Sequence, residues 1–156
     1  MTIGGESVKG NLLVIDDEPV VLDELELRLE EYADKVFSCT SAEDGLEIIK
    51  SQEIHCIVCD IKLPGMNGID LFLHTKKAGI TVPFIFYTGR TDQQLMVEAI
   101  KHGAFDFVHK PNLFGMEDVI QRGLAHGTGR EYEEQPNAYE SEYRKLLKQI
   151  LAKRTA

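Results

Sequence analysis

The stretch that decides the fold is residues 54–60, Ile54-His55-Cys56-Ile57-Val58-Cys59-Asp60. A short apolar run bounded by turn residues is typical of a strand buried on both faces of a parallel sheet. Asp60 ends the run, and ligands of open α/β sheets bind outside the carboxyl ends of the strands. Taken alone, a strand-ending Asp more often only begins a turn, so the rest of the chain must decide whether Asp60 is functional.

The same pattern of an apolar run ending in a polar residue recurs along the chain. The predicted strands are residues 11–15, 35–38, 54–60, 82–87 and 105–109. Segments with helical spacing of apolar residues follow them, beginning near Pro19, Ser41, Asn67, Thr91 and Leu113. Strands that alternate with helices predict an α/β, flavodoxin-like fold, with a doubly wound five-stranded parallel sheet, strand order 2-1-3-4-5 and helices on both faces.

Composition places the chain among soluble globular proteins. It has 156 residues, 43% of them hydrophobic, and a formal net charge of −9. We expect a flexible N-terminal lead (1–10), one main domain (11–127), and a linker with a tail helix (128–156) that begins a downstream region. The negative charge argues against nucleic-acid binding. No apolar stretch approaches the ~20 residues of a membrane span, and no signal-peptide core is present, so we expect a cytoplasmic protein.

The three cysteines predict no disulfide framework, because their number is odd. Cys56 and Cys59 form a C-x-x-C motif, but a redox pair works at a helix N-terminus, where the dipole lowers a thiol pKa. Here both lie in one predicted strand, three residues apart, and therefore point to opposite faces. Buried structural thiols are the favoured interpretation.

Polar side chains lie at the carboxyl ends of four predicted strands. They are Asp16 and Asp17, Asp60, Thr88, and Lys110. In a 2-1-3-4-5 sheet the crevice lies between the first and third strands, which brings the three carboxylates together. A hard divalent cation, most plausibly Mg²⁺, fits such oxygen ligands, Lys110 supplies a point charge, and Thr88 supplies a hydroxyl. These are the groups that phosphoryl transfer to an aspartate requires.

In these features the chain resembles the receiver domain of response regulators, the CheY-like family of two-component signalling. The matching motifs, in order, are Asp16-Asp17, Asp60 with Pro64-Gly65, Thr88-Gly89, Phe107, and Lys110-Pro111. The resemblance runs from residue 11 to about residue 127. It implies a regulatory phosphoacceptor rather than an enzyme, in which Asp60 takes a phosphoryl group from a histidine kinase or phosphotransfer protein.

The resemblance also implies a metal site. In the family pattern, Asp17 and Asp60 would ligate Mg²⁺ together with the backbone carbonyl of Lys62, and Asp16 would orient metal-bound water. Lys62 and Arg90 each lie two residues past a pocket residue, where the family often has smaller or uncharged side chains. They either flank the mouth of the pocket or are ordinary solvated basic residues.

A conformational switch is the third implication of the resemblance. Thr88 would move toward the phosphoryl group, and Phe107 would follow it inward as the aromatic switch residue. The Lys110-Pro111 peptide bond would be cis. The responding surface would be formed by the fourth helix, the fifth strand and the fifth helix, and a homodimer through this surface or the tail helix is a further expectation.

Three other functions share part of this pattern. An aspartate-nucleophile phosphatase shares the acyl-phosphate chemistry but resembles D-x-D, and the second acidic position is Lys62 here. A flavin-binding module would need a phosphate site lined with donors, which an acidic crevice does not provide. A phosphorylation-independent interaction module on the same fold would lack one or more pocket groups, and none is missing.

The tail carries an apolar stripe of Tyr139, Tyr143, Leu147 and Ile150 at helical spacing. Isolated helices of this length are marginal in water, so the stripe must find a partner. The candidates are its own domain, a second copy, or a downstream domain. We expect packing against a second copy or a neighbouring receiver.

Overall fold

The computed structural model describes residues 2–3, 6–7, 9–89, 93–133 and 138–155. The strands of its main sheet are β1 (Asn11–Ile15), β2 (Lys35–Cys39), β3 (Cys56–Cys59), β4 (Phe84–Thr88) and β5 (Asp106–His109). All neighbouring pairs are parallel, and the order is β2-β1-β3-β4-β5. The predicted doubly wound sheet is therefore confirmed.

Helices connect the strands and cover both faces of the sheet. They are α1 (Pro19–Leu29), α2 (Ala42–Ser51), α3 (Gly68–Lys77), α4 (Gln93–Lys101), α5 (Met116–Thr128) and α6 (Glu142–Thr155), with a 3-10 turn at Glu30–Tyr32. Among the described residues, none of the helices has the length and apolarity that crossing a membrane requires. Within the segment expected to be a flexible lead, Thr2–Ile3 pairs antiparallel with Glu6–Ser7.

Two helix starts are set by side chains that the sequence indicated. The Ser41 hydroxyl accepts a hydrogen bond from the Asp44 N–H at 3.1 Å, and the Asn67 side-chain carbonyl accepts one from the Asp70 N–H at 2.8 Å. Each cap satisfies a backbone donor that would otherwise lack a partner and stabilises its helix by about 1 kcal/mol. Thr91, near which the fourth helix is predicted to begin, lies outside the described residues.

The two cysteines of the C-x-x-C motif lie on opposite faces of β3, as predicted. Cys56 packs in the cluster under α1 and α5, and Cys59 packs in the cluster on the other face. Both thiols are free and fully buried. Burial raises the pKa of each, which opposes formation of the reactive thiolate.

The glycines at positions 127 and 129 would be expected to end α5 near residue 127, but the helix continues past Gly127. Gly127 lies inside the helix, and the chain leaves it only at Gly129, whose φ is +72°. The role of Gly127 is steric, because a Cβ at this position would overlap the backbone carbonyl of His55. The glycine therefore permits close packing of α5 on the segment that enters β3.

We expect Gly127→Ala to destabilise the protein. Helix propensity alone predicts a gain of about 1 kcal/mol, whereas the overlap with a backbone atom predicts a loss of about 1–3 kcal/mol. Urea unfolding of Gly127→Ala beside Gly89→Ala checks this, because a Cβ at Gly89 meets no atom within 4 Å. A more stable Gly127→Ala would contradict the close approach.

The tail helix packs on its own domain, so the expected packing against a second copy or a neighbouring receiver is wrong for this stripe. Tyr143 is 1% exposed and belongs to the same core cluster as Phe107, with Leu146 and Leu147 packed against it. Tyr139 precedes the helix and joins the cluster on the other face of the sheet. The four residues do not form one continuous surface, because Tyr139 lies before the start of α6.

Candidate functional site

The candidate site is built where the carboxyl ends of four strands meet. Asp16 follows β1, Asp60 follows β3, Thr88 ends β4, and Lys110 follows β5. Backbone hydrogen bonds beyond the strands hold this edge together. The Asp60 N–H donates to the Ile15 carbonyl at 3.0 Å, and the Lys110 N–H donates to the Thr88 carbonyl at 2.8 Å. The sheet itself therefore positions the side chains.

Lys110 bridges the two buried carboxylates. Its ammonium Nζ lies 2.6 Å from Asp16 Oδ2 and 2.8 Å from Asp60 Oδ2. Asp16 is 1% exposed and Asp60 is 6% exposed. Carboxylates this buried are costly unless they are paired, so the Lys110 ammonium is the group that makes their proximity tolerable in this arrangement.

The electrostatics follow from burial and from this pairing. Burial raises the pKa of Asp16, and hydrogen bonds from Lys110 and the Glu18 N–H oppose that rise. For Lys110, burial acts to lower the pKa, but the contacts with Asp16 and Asp60 outweigh it and raise the pKa above its usual value. Lys110 is therefore a fixed positive charge at neutral pH.

A pocket of about 380 Å³ opens beside Asp60. Its lining residues are Asp17, Glu18, Asp60, Lys62, Leu63 and Pro64. The Lys62 N–H donates to Asp60 Oδ1 at 3.3 Å, while the rest of Lys62 is exposed at the pocket. One carboxylate oxygen of Asp60 is thus held by a backbone donor and the other by an ammonium group, which fixes the orientation of the carboxylate.

Glu18 is a pocket residue that the sequence reasoning missed. It directly precedes Pro19, near which the first helix is predicted to begin, and its carboxylate lies 4.0 Å from Lys110 Nζ. Oxygens of Asp16, Asp17 and Glu18 lie within 4.8 Å of one another and can hold a metal ion. The sequence feature that could have predicted a role for Glu18 in the pocket is the run of three consecutive acidic residues before Pro19.

Two other predicted site residues are fully buried and do not line the pocket. Thr88 is fully buried at the end of β4. Phe107 is not in the pocket; it is fully buried in the core beside Phe86, with ring centroids 6.1 Å apart. The Lys110–Pro111 peptide bond is cis, the isomer expected there. Arg90, the second predicted rim residue, lies outside the described residues.

The family assignment follows from comparison with known proteins. The pattern of the response regulator receiver domain matches residues 12–122. This chain belongs to the response regulator receiver domain family. Receiver domains are regulatory modules of two-component response regulators, and the flavodoxin-like, CheY-like fold of the family is the fold described above.

Two relatives and one solved structure illustrate the match. The receiver domain is 34% identical over 105 residues to the transcriptional regulatory protein FixJ of Bradyrhizobium diazoefficiens, covering 67% of this chain and 51% of FixJ. It is 33% identical over 112 residues to the response regulator SaeR of Staphylococcus aureus, covering 72% of this chain and 48% of SaeR. This chain therefore matches about half the length of these relatives.

The solved structure is the CheY-like receiver domain protein of Methanospirillum hungatei. It is 26% identical, with a TM-score of 0.70, and the match covers 77% of this chain and 97% of that chain. The match thus spans almost the whole of a separately solved receiver domain.

Proposed function

We propose that this chain is a phosphoacceptor module of a two-component system, in which Asp60 accepts a phosphoryl group from a histidine kinase or phosphotransfer protein. The observation that carries the proposal is the placement of the Asp60 carboxylate. It faces an open pocket and is held between the Lys110 ammonium at 2.8 Å and a backbone N–H at 3.3 Å.

The proposed transfer is a substitution at phosphorus. An Asp60 oxygen forms the new P–O bond while the P–N bond to the partner's histidine breaks, and the electron pair leaves with the imidazole nitrogen. Lys110 lies where it can contact the transferred phosphoryl oxygens, and a positive charge there stabilises the charge that they carry. Thr88, at the end of the neighbouring strand, is the proposed hydroxyl donor and first switch residue.

The residues present fit a divalent cation. The donor set consists of carboxylates, which are hard oxygen ligands suited to Mg²⁺. Asp17 and Asp60 with the Lys62 carbonyl would hold the ion, and Asp16 would orient its water. When bound, Mg²⁺ neutralises negative charge on the carboxylates and on the incoming phosphate. The clustered oxygens of Asp16, Asp17 and Glu18 support this proposal.

The proposed function is tested by phosphoryl uptake from acetyl phosphate. We expect the intact protein to gain the mass of one phosphoryl group in the presence of Mg²⁺ and none when EDTA removes the ion. No uptake with Mg²⁺ would contradict the proposal. If uptake in EDTA equals uptake with Mg²⁺, the phosphoacceptor assignment stands and the proposed metal site is contradicted.

The two expected rim residues, Lys62 and Arg90, predict slow self-dephosphorylation. Hydrolysis requires a water in line with the phosphorus, and long side chains at Lys62 and Arg90 would obstruct that water or hold the phosphoryl oxygens. We expect loss of the phosphoryl group to be about tenfold faster in Lys62→Ala with Arg90→Ala, which equals about 1.4 kcal/mol of barrier. Mass spectrometry after removal of acetyl phosphate measures the decay.

A matched control for this pair is Lys50→Ala, because Lys50 is an exposed lysine on α2. Its decay should equal that of the unaltered chain. Unchanged decay in the double variant would favour the alternative that Lys62 and Arg90 are solvated surface residues.

A further inference from the structure

The tail helix α6 lies on β5, the strand that also leads to the pocket lysine. The Tyr143 hydroxyl donates a hydrogen bond to the carbonyl of Ala104, just before β5. The Tyr143 ring stacks on Phe107 of β5, with ring centroids 6.5 Å apart and planes within 9° of parallel. A helix outside the receiver match therefore contacts the expected aromatic switch residue directly.

A polar contact fixes the first turn of α6 to the same strand. The Ser141 hydroxyl donates to Asp106 Oδ1 at 2.5 Å and accepts from the Arg144 N–H at 3.2 Å, as a helix N-cap does. Asp106 is fully buried, and Nη1 of Arg122 on α5 lies 3.4 Å from its Oδ2. Ser141 thus links the start of α6 to a buried carboxylate on β5.

The contact of α6 with its domain is deep at the start of the helix and shallow further along. Tyr143 is 1% exposed, whereas Leu146 and Leu147 are only partly buried. The far end of α6, residues 151–154, is exposed. In the described parts of the connection, 129–133 and 138–141, the chain forms neither helix nor strand. This length of chain allows α6 to leave β5 without unfolding α5.

The pocket and the α6 contact share one short segment. Asp106 and Phe107 contact α6, and Lys110, three residues beyond Phe107, contacts Asp16 and Asp60. When Asp60 becomes an acyl phosphate, its negative charge moves outward onto the phosphoryl oxygens. If Lys110 follows that charge, the end of β5 moves with it, and so does the surface that Tyr143 contacts.

We propose that α6 is a built-in ligand of β5 that favours the unphosphorylated arrangement, and that phosphorylation of Asp60 weakens its docking. This inference rests on the proposed phosphoacceptor function. Docked α6 is observed together with the Lys110 bridge between both carboxylates, which is the arrangement that docking would favour. Because coupling between two sites is reciprocal, α6 must oppose phosphorylation to the same extent that phosphorylation weakens α6 docking.

The test uses the full chain and beryllofluoride, a phosphoryl mimic. Backbone amide exchange of residues 142–150, read by mass spectrometry, should accelerate when beryllofluoride and Mg²⁺ saturate Asp60. In addition, the beryllofluoride concentration at half saturation should fall about fivefold or more in Ser141→Ala, the range that site-to-site coupling usually spans. Tyr143→Phe, which retains the ring, should show a smaller fall, and the exposed Lys153→Ala should match the unaltered chain.

The outcomes separate the two proposals. If the NMR signal of the Asp60 amide responds to beryllofluoride but exchange of α6 does not change, the inference is overturned and the phosphoacceptor function stands. An unchanged or higher half-saturating concentration in Ser141→Ala also overturns the inference. If the Asp60 amide responds in neither the unaltered chain nor Ser141→Ala, the phosphoacceptor function fails and the inference fails with it.

Discussion

Asp60→Ala is expected to take up no phosphoryl group from acetyl phosphate under conditions in which the unaltered chain is labelled. The substitution removes the carboxylate oxygen that would form the P–O bond. Asp16 is 1% exposed and is held by Lys110 at 2.6 Å and by the Glu18 N–H at 2.9 Å. Intact-mass measurement of the labelled fraction checks the loss.

Loss of labelling has to be separated from loss of folding. Removing Asp60 leaves Lys110 paired with Asp16, so we expect the variant to keep its fold and its circular dichroism spectrum. Asp23→Ala, which alters an exposed carboxylate on α1, is the matched control and should label normally. Undiminished labelling of Asp60→Ala would contradict the assignment of the phosphoacceptor.

Tyr143→Ala is expected to lower the free energy of unfolding by about 3–5 kcal/mol, the usual cost of truncating a buried aromatic side chain. Tyr143 is 1% exposed in the core cluster that contains Phe107. Truncation leaves a cavity beside Phe107 and deprives the Ala104 carbonyl of its hydrogen bond from Tyr143. Since small domains are stable by only about 5–15 kcal/mol in total, urea unfolding measures this effect readily.

Two further variants separate the contribution of the Tyr143 hydroxyl to the free energy of unfolding from that of its ring. Tyr143→Phe keeps the ring and loses the hydroxyl, so we expect a loss of about 1 kcal/mol. Lys153→Ala alters an exposed residue of the same helix and should stay within about 0.5 kcal/mol of the unaltered chain. A loss below about 1 kcal/mol for Tyr143→Ala would mean that α6 is not part of the folded core.

The sheet and most of the pocket followed from the sequence because both depend on local patterns. A buried parallel strand reads as a continuous apolar run, and the polar residue that ends it marks the ligand-binding edge. Asp60 and Lys110 are 50 residues apart in sequence, yet strand order alone brings them together, and their side chains lie 2.8 Å apart. The helix starts at Ser41 and Asn67 were also predictable, because each cap is a contact between residues only three positions apart.

The features that the sequence did not reveal depend on tertiary contacts. Gly127 looks like a helix breaker, and only its contact with the His55 carbonyl shows why a glycine is needed within α5. Tyr143 looks like part of a stripe that a second copy would cover, and only its depth beside Phe107 shows that it belongs to the core. Glu18 joins the pocket because it is the N-cap of α1 and stands between the Asp-Asp pair and Pro19.

The most direct test of the phosphoacceptor assignment is to locate the acyl phosphate in the unaltered chain. Reduction of the phosphorylated protein with borohydride converts an aspartyl phosphate to homoserine, which peptide sequencing by mass spectrometry identifies. We predict homoserine at position 60, in the peptide that includes β3, and unchanged aspartate at positions 16 and 17. Homoserine at either of those positions, with Asp60 intact, would contradict the assignment.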